Sequence, residues 1–402
     1  MAGLFTIQTL TAKTDRTDSV SAKKNYPIIN QIGIDFRPGY IFPTNDFLKG
    51  LNDREKPVRK AFSYHLKYSF KFNPQSRLGK LYPYTYQGIG ISYTDFINRK
   101  EMGRPFGVYV FQGSRIARIA PKLTLDYEWN FGATFGWKPY NDNMYTDTGE
   151  ENPDYNPYNR VVGSKVNAYL NVGLMLNWQI DPNWKLSLGV DATHYSNGNT
   201  HYPNSGINTI GGRIGLVRTF GNVEEPAHAQ PLKTFRRHIS YDVVVYGATK
   251  YKGIFFDDGR AKLAPGPFGV AGININPMYN FNKYLKAGIS LDAQYDESAN
   301  LREHVASEDA DGMKFYRPPF REQFGVGLSL RAELIMPIFS INAGIGRNLI
   351  YKGDDWDGFY QVLALKTSIT KNLFLHIGYQ LSRFRDPNNL MLGLGYRFHN
   401  KR

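Results

Sequence analysis

The stretch Lys122 to Trp137 restricts what this chain can become more than any other feature. Leu123, Leu125, Tyr127, Trp129, Phe131, Ala133, Phe135 and Trp137 alternate there with Thr124, Asp126, Glu128, Asn130, Gly132, Thr134 and Gly136. Side chains two apart share a face of a strand, so one face is wholly apolar and the other carries two carboxylates. Ser164 to Trp178 repeats the pattern, with Val166, Ala168, Leu170, Val172, Leu174, Leu176 and Trp178 opposite Asn167, Tyr169, Asn171 and Asn177. A soluble sandwich would wet the polar face and bury the apolar one. A membrane barrel turns the apolar face to lipid and the polar face inward, with aromatic rings at the ends of each stripe, and these segments have that distribution.

The remaining candidates are Ile32 to Pro43, Ala61 to Phe72, Tyr86 to Asn98, Phe106 to Ile119, two strands within Trp184 to Phe220, Ile239 to Tyr251, Phe268 to Phe281, Tyr284 to Asp296, Glu322 to Met336, Phe339 to Ile350, Phe359 to Ile369, Leu373 to Phe384 and Leu390 to Phe398. The expected fold is therefore all-β, a transmembrane antiparallel β-barrel of about 16 strands. The alternatives are 14 strands or two tandem eight-stranded barrels. The 402 residues suit a large barrel, and aromatic residues make up 15% of them. No apolar run reaches the length of a transmembrane helix.

Connection lengths give polarity. Turns near Pro121, Asp181-Pro182-Asn183, Asn282-Lys283, Pro337-Ile338 and Lys371-Asn372 follow even strands and are brief, whereas Pro43 to Lys60, Lys138 to Val162 and Glu297 to Arg321 follow odd strands and are long. Outer-membrane barrels keep short turns in the periplasm and long loops outside. Gly221 to His238 is a long polar segment on the short side, which is what a linker between two barrels would produce. The chain accordingly divides into a lead-in (1–26), a first barrel half (27–220), a polar connection (221–238) and a second barrel half (239–402). Met1 to Ala12 reads as the back end of an export signal.

The net charge of +14 is scattered without a compact basic block, which favours an anionic lipid surface over nucleic acid. With no cysteine, disulfides, thiolate metal sites and a Cys nucleophile are excluded. Acidic loop groups (Asp142, Asp147, Glu150, Glu151 and Asp154; Glu308, Asp309 and Asp311; Asp354, Asp355 and Asp357) could bind Ca2+ or bridge lipopolysaccharide, but none has EF-hand spacing and solvated loop charge is the simpler reading. No metal or cofactor is expected. On parity, Arg213 and Lys165 belong with Asp126, Glu128 and Asp191 in the lumen, and Arg218 snorkels at the membrane edge.

Chemistry concentrates in Trp184 to Phe220. Leu186, Leu188, Val190 and Ala192 form an apolar stripe that His194 and Ser196 continue, and Asn208 shares the apolar face of the returning strand with Ile210, Ile214 and Leu216. Unpaired polar groups on such a face cost roughly 1 to 3 kcal/mol each, so they should satisfy one another or do chemistry. Serine needs a base to become a nucleophile, and histidine can serve as one near neutrality. The plainer reading places His194 and Ser196 as polar residues of the headgroup zone.

The run His194-Tyr195-Ser196-Asn197, followed by Pro203-Asn204-Ser205-Gly206-Ile207-Asn208, resembles the outer-membrane lipid A 3-O-deacylases, the PagL-like acyloxyacyl hydrolase family. The likeness runs from about Tyr84 to Phe220. It implies an outer-membrane esterase that removes an acyl chain from lipid A, with Ser196 as nucleophile, His194 as base, and Asn197 with the Gly198 and Asn199 amides as the oxyanion site. His201 and Asn204 would contact substrate. The chain departs from the family in the third group, where Asn208 replaces the acid: it can orient the imidazole by a hydrogen bond but adds no charge. Lipid A or lipopolysaccharide and the surrounding outer-membrane lipid are then the partners. The alternative is a non-catalytic barrel acting as porin, transporter or scaffold of an outer-membrane protein complex, and a soluble β protein is a distant third.

Overall fold

The computed structural model describes residues 28–221, 235–256, 261–309, 312–384 and 386–399; the export-signal expectation, and most of the 221–238 connection, lie outside them. Eight strands make a first closed ring: β1 (Ile28–Ile41), β2 (Lys60–Phe72), β3 (Thr85–Asp95), β4 (Gly103–Ala120), β5 (Leu123–Trp137), β6 (Val166–Gln179), β7 (Trp184–Ser196) and β8 (Ile207–Phe220). Eight more make a second: β9 (His238–Lys250), β10 (Phe268–Asn280), β11 (Leu285–Asp296), β12 (Phe324–Ile335), β13 (Phe339–Ile350), β14 (Phe359–Ser368), β15 (Leu373–Ser382) and β16 (Asp386–His399).

The sixteen strands thus form two rings of eight, the tandem arrangement, and not one ring of 16 or 14. The reason lies in strand edges. β8 returns to β1 and pairs with it from Asn30↔Phe220 to Ile41↔Thr209, so no edge is left for β9. β9 is closed in turn by β16, from Leu392↔Gly247 to His399↔Ser240. A closed ring leaves no unpaired backbone for lipid to meet, which makes each set of eight complete as a spanning unit.

Alternation runs through both walls. On β6, Val172, Leu174, Leu176 and Trp178 are exposed while Asn167, Asn171 and Asn177 are buried. Polar groups inside and bare apolar groups outside invert the plan of a water-soluble protein, and this inversion defines a transmembrane barrel. The lumen of the first ring is filled by ion pairs. Arg213 reaches Asp35 at 2.7 Å and Glu128 at 2.8 Å, Lys67 reaches Asp35 at 3.0 Å, and Arg37 joins Asp35 at 2.8 Å. One cavity among them, lined by Gln31, Lys67, Glu128 and Arg213, measures about 10 Å³, the lower limit for holding a single water. In the second ring Lys286, Lys366 and Arg397 surround Asp242 and Glu333, with Lys366–Glu333 and Arg397–Asp242 both at 2.7 Å. Lys165 is not part of the first network. β6 begins at Val166, one residue after it, and its ammonium stands exposed in the loop, 3.7 Å from Asp154.

The rings touch at both ends. Near the short turns, Tyr82 packs edge-on against Tyr284 at 5.4 Å, and Trp129 packs against Phe339 at 5.4 Å. Trp129 has outward parity yet is only 8% exposed, because the second ring covers it. At the long-loop end the contact is made by the β7–β8 loop, described next.

Candidate active site

β7 runs toward the long-loop end with Leu188 and Val190 each 58% exposed on its outer face, and Ser187, Asp191 and Tyr195 buried inside. His194 and Ser196 continue the outer face and are half-buried. Across the β7–β8 ladder His194 stands directly opposite Asn208. Direct opposition brings the two side chains within reach, and His194 Nδ1 lies 2.7 Å from Asn208 Oδ1. An amide oxygen can only accept, so Nδ1 carries the proton and Nε2 is left as a base.

Gly206 closes the space in front of this pair. Its φ of +67° suits only glycine readily, and a Cβ there would stand 3.1 Å from His194 Cε1 and 3.6 Å from Ser196 Cβ. Imidazole and serine therefore flank one point. Among the described residues Ser196 Oγ makes no hydrogen bond, to His194 or elsewhere. Catalytic hydrogen bonds are often long in unliganded enzymes and tighten around substrate.

The loop after Ser196 is built by its own polar groups. Asn197 Nδ2 donates to the His201 carbonyl at 3.0 Å, its backbone N–H donates to Asn204 Oδ1 at 2.9 Å, and the Thr200 N–H returns to the Asn197 carbonyl at 3.3 Å. Gly198 and Asn199 are both left-handed, with φ of 64° and 66°, as the two central residues of a type I′ turn must be. Asn197 and Asn204 are thus committed to the loop's shape. The backbone N–H groups of Gly198 and Asn199 meet no acceptor among the described residues. His201 stacks on Tyr251, which follows β9, at 5.4 Å.

Sequence reasoning found the His194–Asn208 pairing through strand parity. It did not find Gly206 as the residue facing both side chains, although a glycine two residues before Asn208 was a local signal. It also missed the neighbours supplied by the second ring. Gly198 abuts Leu390, Asn199 Nδ2 donates to the Asn388 carbonyl at 3.0 Å, and the Tyr251 N–H donates to the Asn199 carbonyl at 3.2 Å. No local pattern announces contacts that lie 52 to 192 residues away along the chain. Among the described residues no group of three or more His, Asp or Glu could hold a metal ion; Asp355 is instead paired with Lys252 at 2.7 Å.

A lipid-facing wall that carries an imidazole oriented by an amide, with a serine two residues on, defines a membrane β-barrel with a candidate ester-hydrolase site. Residues 63–217 match the family described as lipid A 3-O-deacylase (PagL), and residues 239–400 match the acyloxyacyl hydrolase C-terminal domain (PagL_C). The chain belongs to this lipid A 3-O-deacylase, acyloxyacyl hydrolase family. With that membership come lipid A deacylase function, which is hydrolysis of an ester, and an outer-membrane location. The first match contains His194, Ser196 and Asn208, and the second spans nearly the whole second ring, which the sequence resemblance had left out.

Comparison with curated proteins finds no match. Among solved structures, Neisserial surface protein A aligns at 9% identity over 48% of this chain and 97% of its own, with a TM-score of 0.31. The siderophore receptor PirA from Pseudomonas aeruginosa aligns at 9% identity over 92% and 80%, with a TM-score of 0.23. Omp33 from Acinetobacter baumannii aligns at 9% over 93% and 100%, with a TM-score of 0.15. Likeness at this level carries no argument about fold or function.

Proposed function

We propose that the protein removes an ester-linked acyl chain from lipid A by a Ser–His mechanism on the outer wall of its first barrel. The observation that carries this reading is the 2.7 Å contact of His194 Nδ1 with Asn208 Oδ1 on the lipid-facing side, with Ser196 beside it. An esterase for a lipid already embedded in a bilayer needs its nucleophile beside the acyl chains, outside the barrel and not within it. His194 Nε2 takes the Ser196 proton as Oγ attacks the ester carbonyl, and returns that proton to the departing sugar hydroxyl; water then releases the fatty acid by the same steps. Asn208 fixes the tautomer that leaves Nε2 free. The backbone N–H groups of Gly198 and Asn199 are the donors left for the developing oxyanion, since the backbone N–H and Nδ2 of Asn197 are engaged within the loop. Asn197 and Asn204 then act on substrate through the loop they shape.

The polarity of the strands supports a site at the outer leaflet, where lipid A resides, if the long loops face outward. A porin reading is disfavoured by the buried ion pairs that fill the lumen of the first barrel. Mass spectrometry of lipid A from cells expressing the protein tests the proposal. The unmutated chain should yield lipid A lacking one acyl chain, and membrane-inserted Ser196→Ala and His194→Ala variants should yield the full complement. Identical lipid A from all three, on a substrate that carries the ester, would sink the esterase.

A further inference from the structure

Loop 197–202 of the first barrel is held from outside by the second. Five contacts reach it from three places: the Leu390 side chain against Gly198, the Asn388 carbonyl on Asn199 Nδ2, the Tyr251 N–H on the Asn199 carbonyl, the Tyr251 ring stacked on His201 with an interplanar angle of 27°, and Gly253 against the Tyr202 ring. Both residues of the turn are left-handed, a conformation that a residue with a Cβ adopts less readily than glycine, and Asn199 is such a residue. Its contacts come from both neighbours of the outer rim, the segment after β9 and the start of β16.

From this we infer that the second barrel is a positioning module for the first: Tyr251 and Leu390 fix the turn whose Gly198 and Asn199 amides face the developing oxyanion. The inference rests on the esterase reading and deepens it. It gives the second barrel a role that an inert duplicate would not have. Among the described residues, the seventh strand of that barrel carries His376 buried on the inner face instead of a His–Ser pair on the outer one, so it does not offer a second copy of the site. Leu390 and Tyr251 touch neither Ser196 nor His194 in the contacts named above. They act through the loop.

The test uses the full chain in lipid vesicles containing lipid A, with Tyr251→Ala, Leu390→Ala and the double variant beside Tyr251→Phe and Leu390→Met. Heat-modifiable gel mobility checks that each variant is a folded barrel. Two quantities are read: kcat and KM for fatty-acid release, and hydrogen exchange of the 197–202 amides. A turn that drifts should lower kcat roughly 10- to 100-fold in the double variant with KM little changed, because transition-state alignment is lost and lipid binding is not. Exchange in the loop should speed up in the same variant, and the Phe and Met substitutions should retain most of the rate. A folded double variant with wild-type kcat overturns the inference, as does one with unchanged loop exchange. An inactive wild type whose loop still loosens in the double variant overturns the esterase reading while leaving the loop's dependence on the second barrel supported.

Discussion

At the scale of single residues the proposed mechanism depends on how much an amide can do in place of a carboxylate. Asn208 holds His194 through one hydrogen bond, and in the proposed reaction it adds no charge beside the imidazolium formed during attack. Removing that bond with Asn208→Ala frees the ring to take the wrong tautomer or to swing, and should lower kcat roughly 10- to 100-fold with little effect on KM. Asn208→Asp keeps an acceptor and adds charge, so its rate should equal or exceed that of the parent. Steady-state fatty-acid release from both variants checks the pair of expectations, and an unaffected Asn208→Ala would remove Asn208 from the mechanism. Gly206 offers a second and independent probe. A methyl there meets His194 Cε1 at 3.1 Å and sits on a backbone of φ +67°, so Gly206→Ala should cost about 1 to 2 kcal/mol in strain and displace the imidazole. Its activity should fall while Gly149→Ala, also at positive φ but with open space around it, loses stability alone.

Strands were the most legible level of the sequence because the bilayer imposes their period. Every one of the sixteen could be recognised from alternation, and the parity that put His194, Ser196 and Asn208 on one outer face was the parity found. What alternation could not give was the closure. Each strand carries a rule for its two faces but none for its partner, and β8 has the same pattern whether it pairs with β1 or with β9. Strand ends were equally hidden, which is how Lys165 came to be assigned to the lumen: parity extends through a loop on paper, but the chain leaves the ladder at Val166. Arg213, well inside β8, is a different case. It is 1% exposed and bridges Asp35 and Glu128, so Arg213→Met leaves two buried carboxylates short of a cation. Breaking a buried network from one side costs about 3 to 5 kcal/mol. Urea unfolding in lipid vesicles, followed by tryptophan fluorescence, should show that loss for Arg213→Met and none for the exposed Lys165→Met.

Two rings that each close on themselves can differ in what they require of each other. Backbone pairing is satisfied within each ring, β1 with β8 and β9 with β16, so neither needs the other to span a bilayer. The walls still make contacts that bury Trp129 against Phe339 at one end and press the β7–β8 loop against Leu390 and Tyr251 at the other. Strand pairing is thus private to each ring, whereas the shape of the β7–β8 loop is shared. Expressing residues 1–220 and 238–402 as separate chains separates these two properties. Each half should insert into vesicles and show heat-modifiable mobility on its own, with a cooperative unfolding transition. The first half alone keeps Ser196, His194 and Asn208 but loses Tyr251 and Leu390, so its kcat on lipid A should drop toward that of the double variant. Supplying the second half in the same vesicles should raise the rate in proportion to its surface density, because the linker only increases the effective concentration of one barrel beside the other. If the first half alone turns over lipid A as fast as the whole chain, the second barrel is not part of the catalytic unit, however closely it packs.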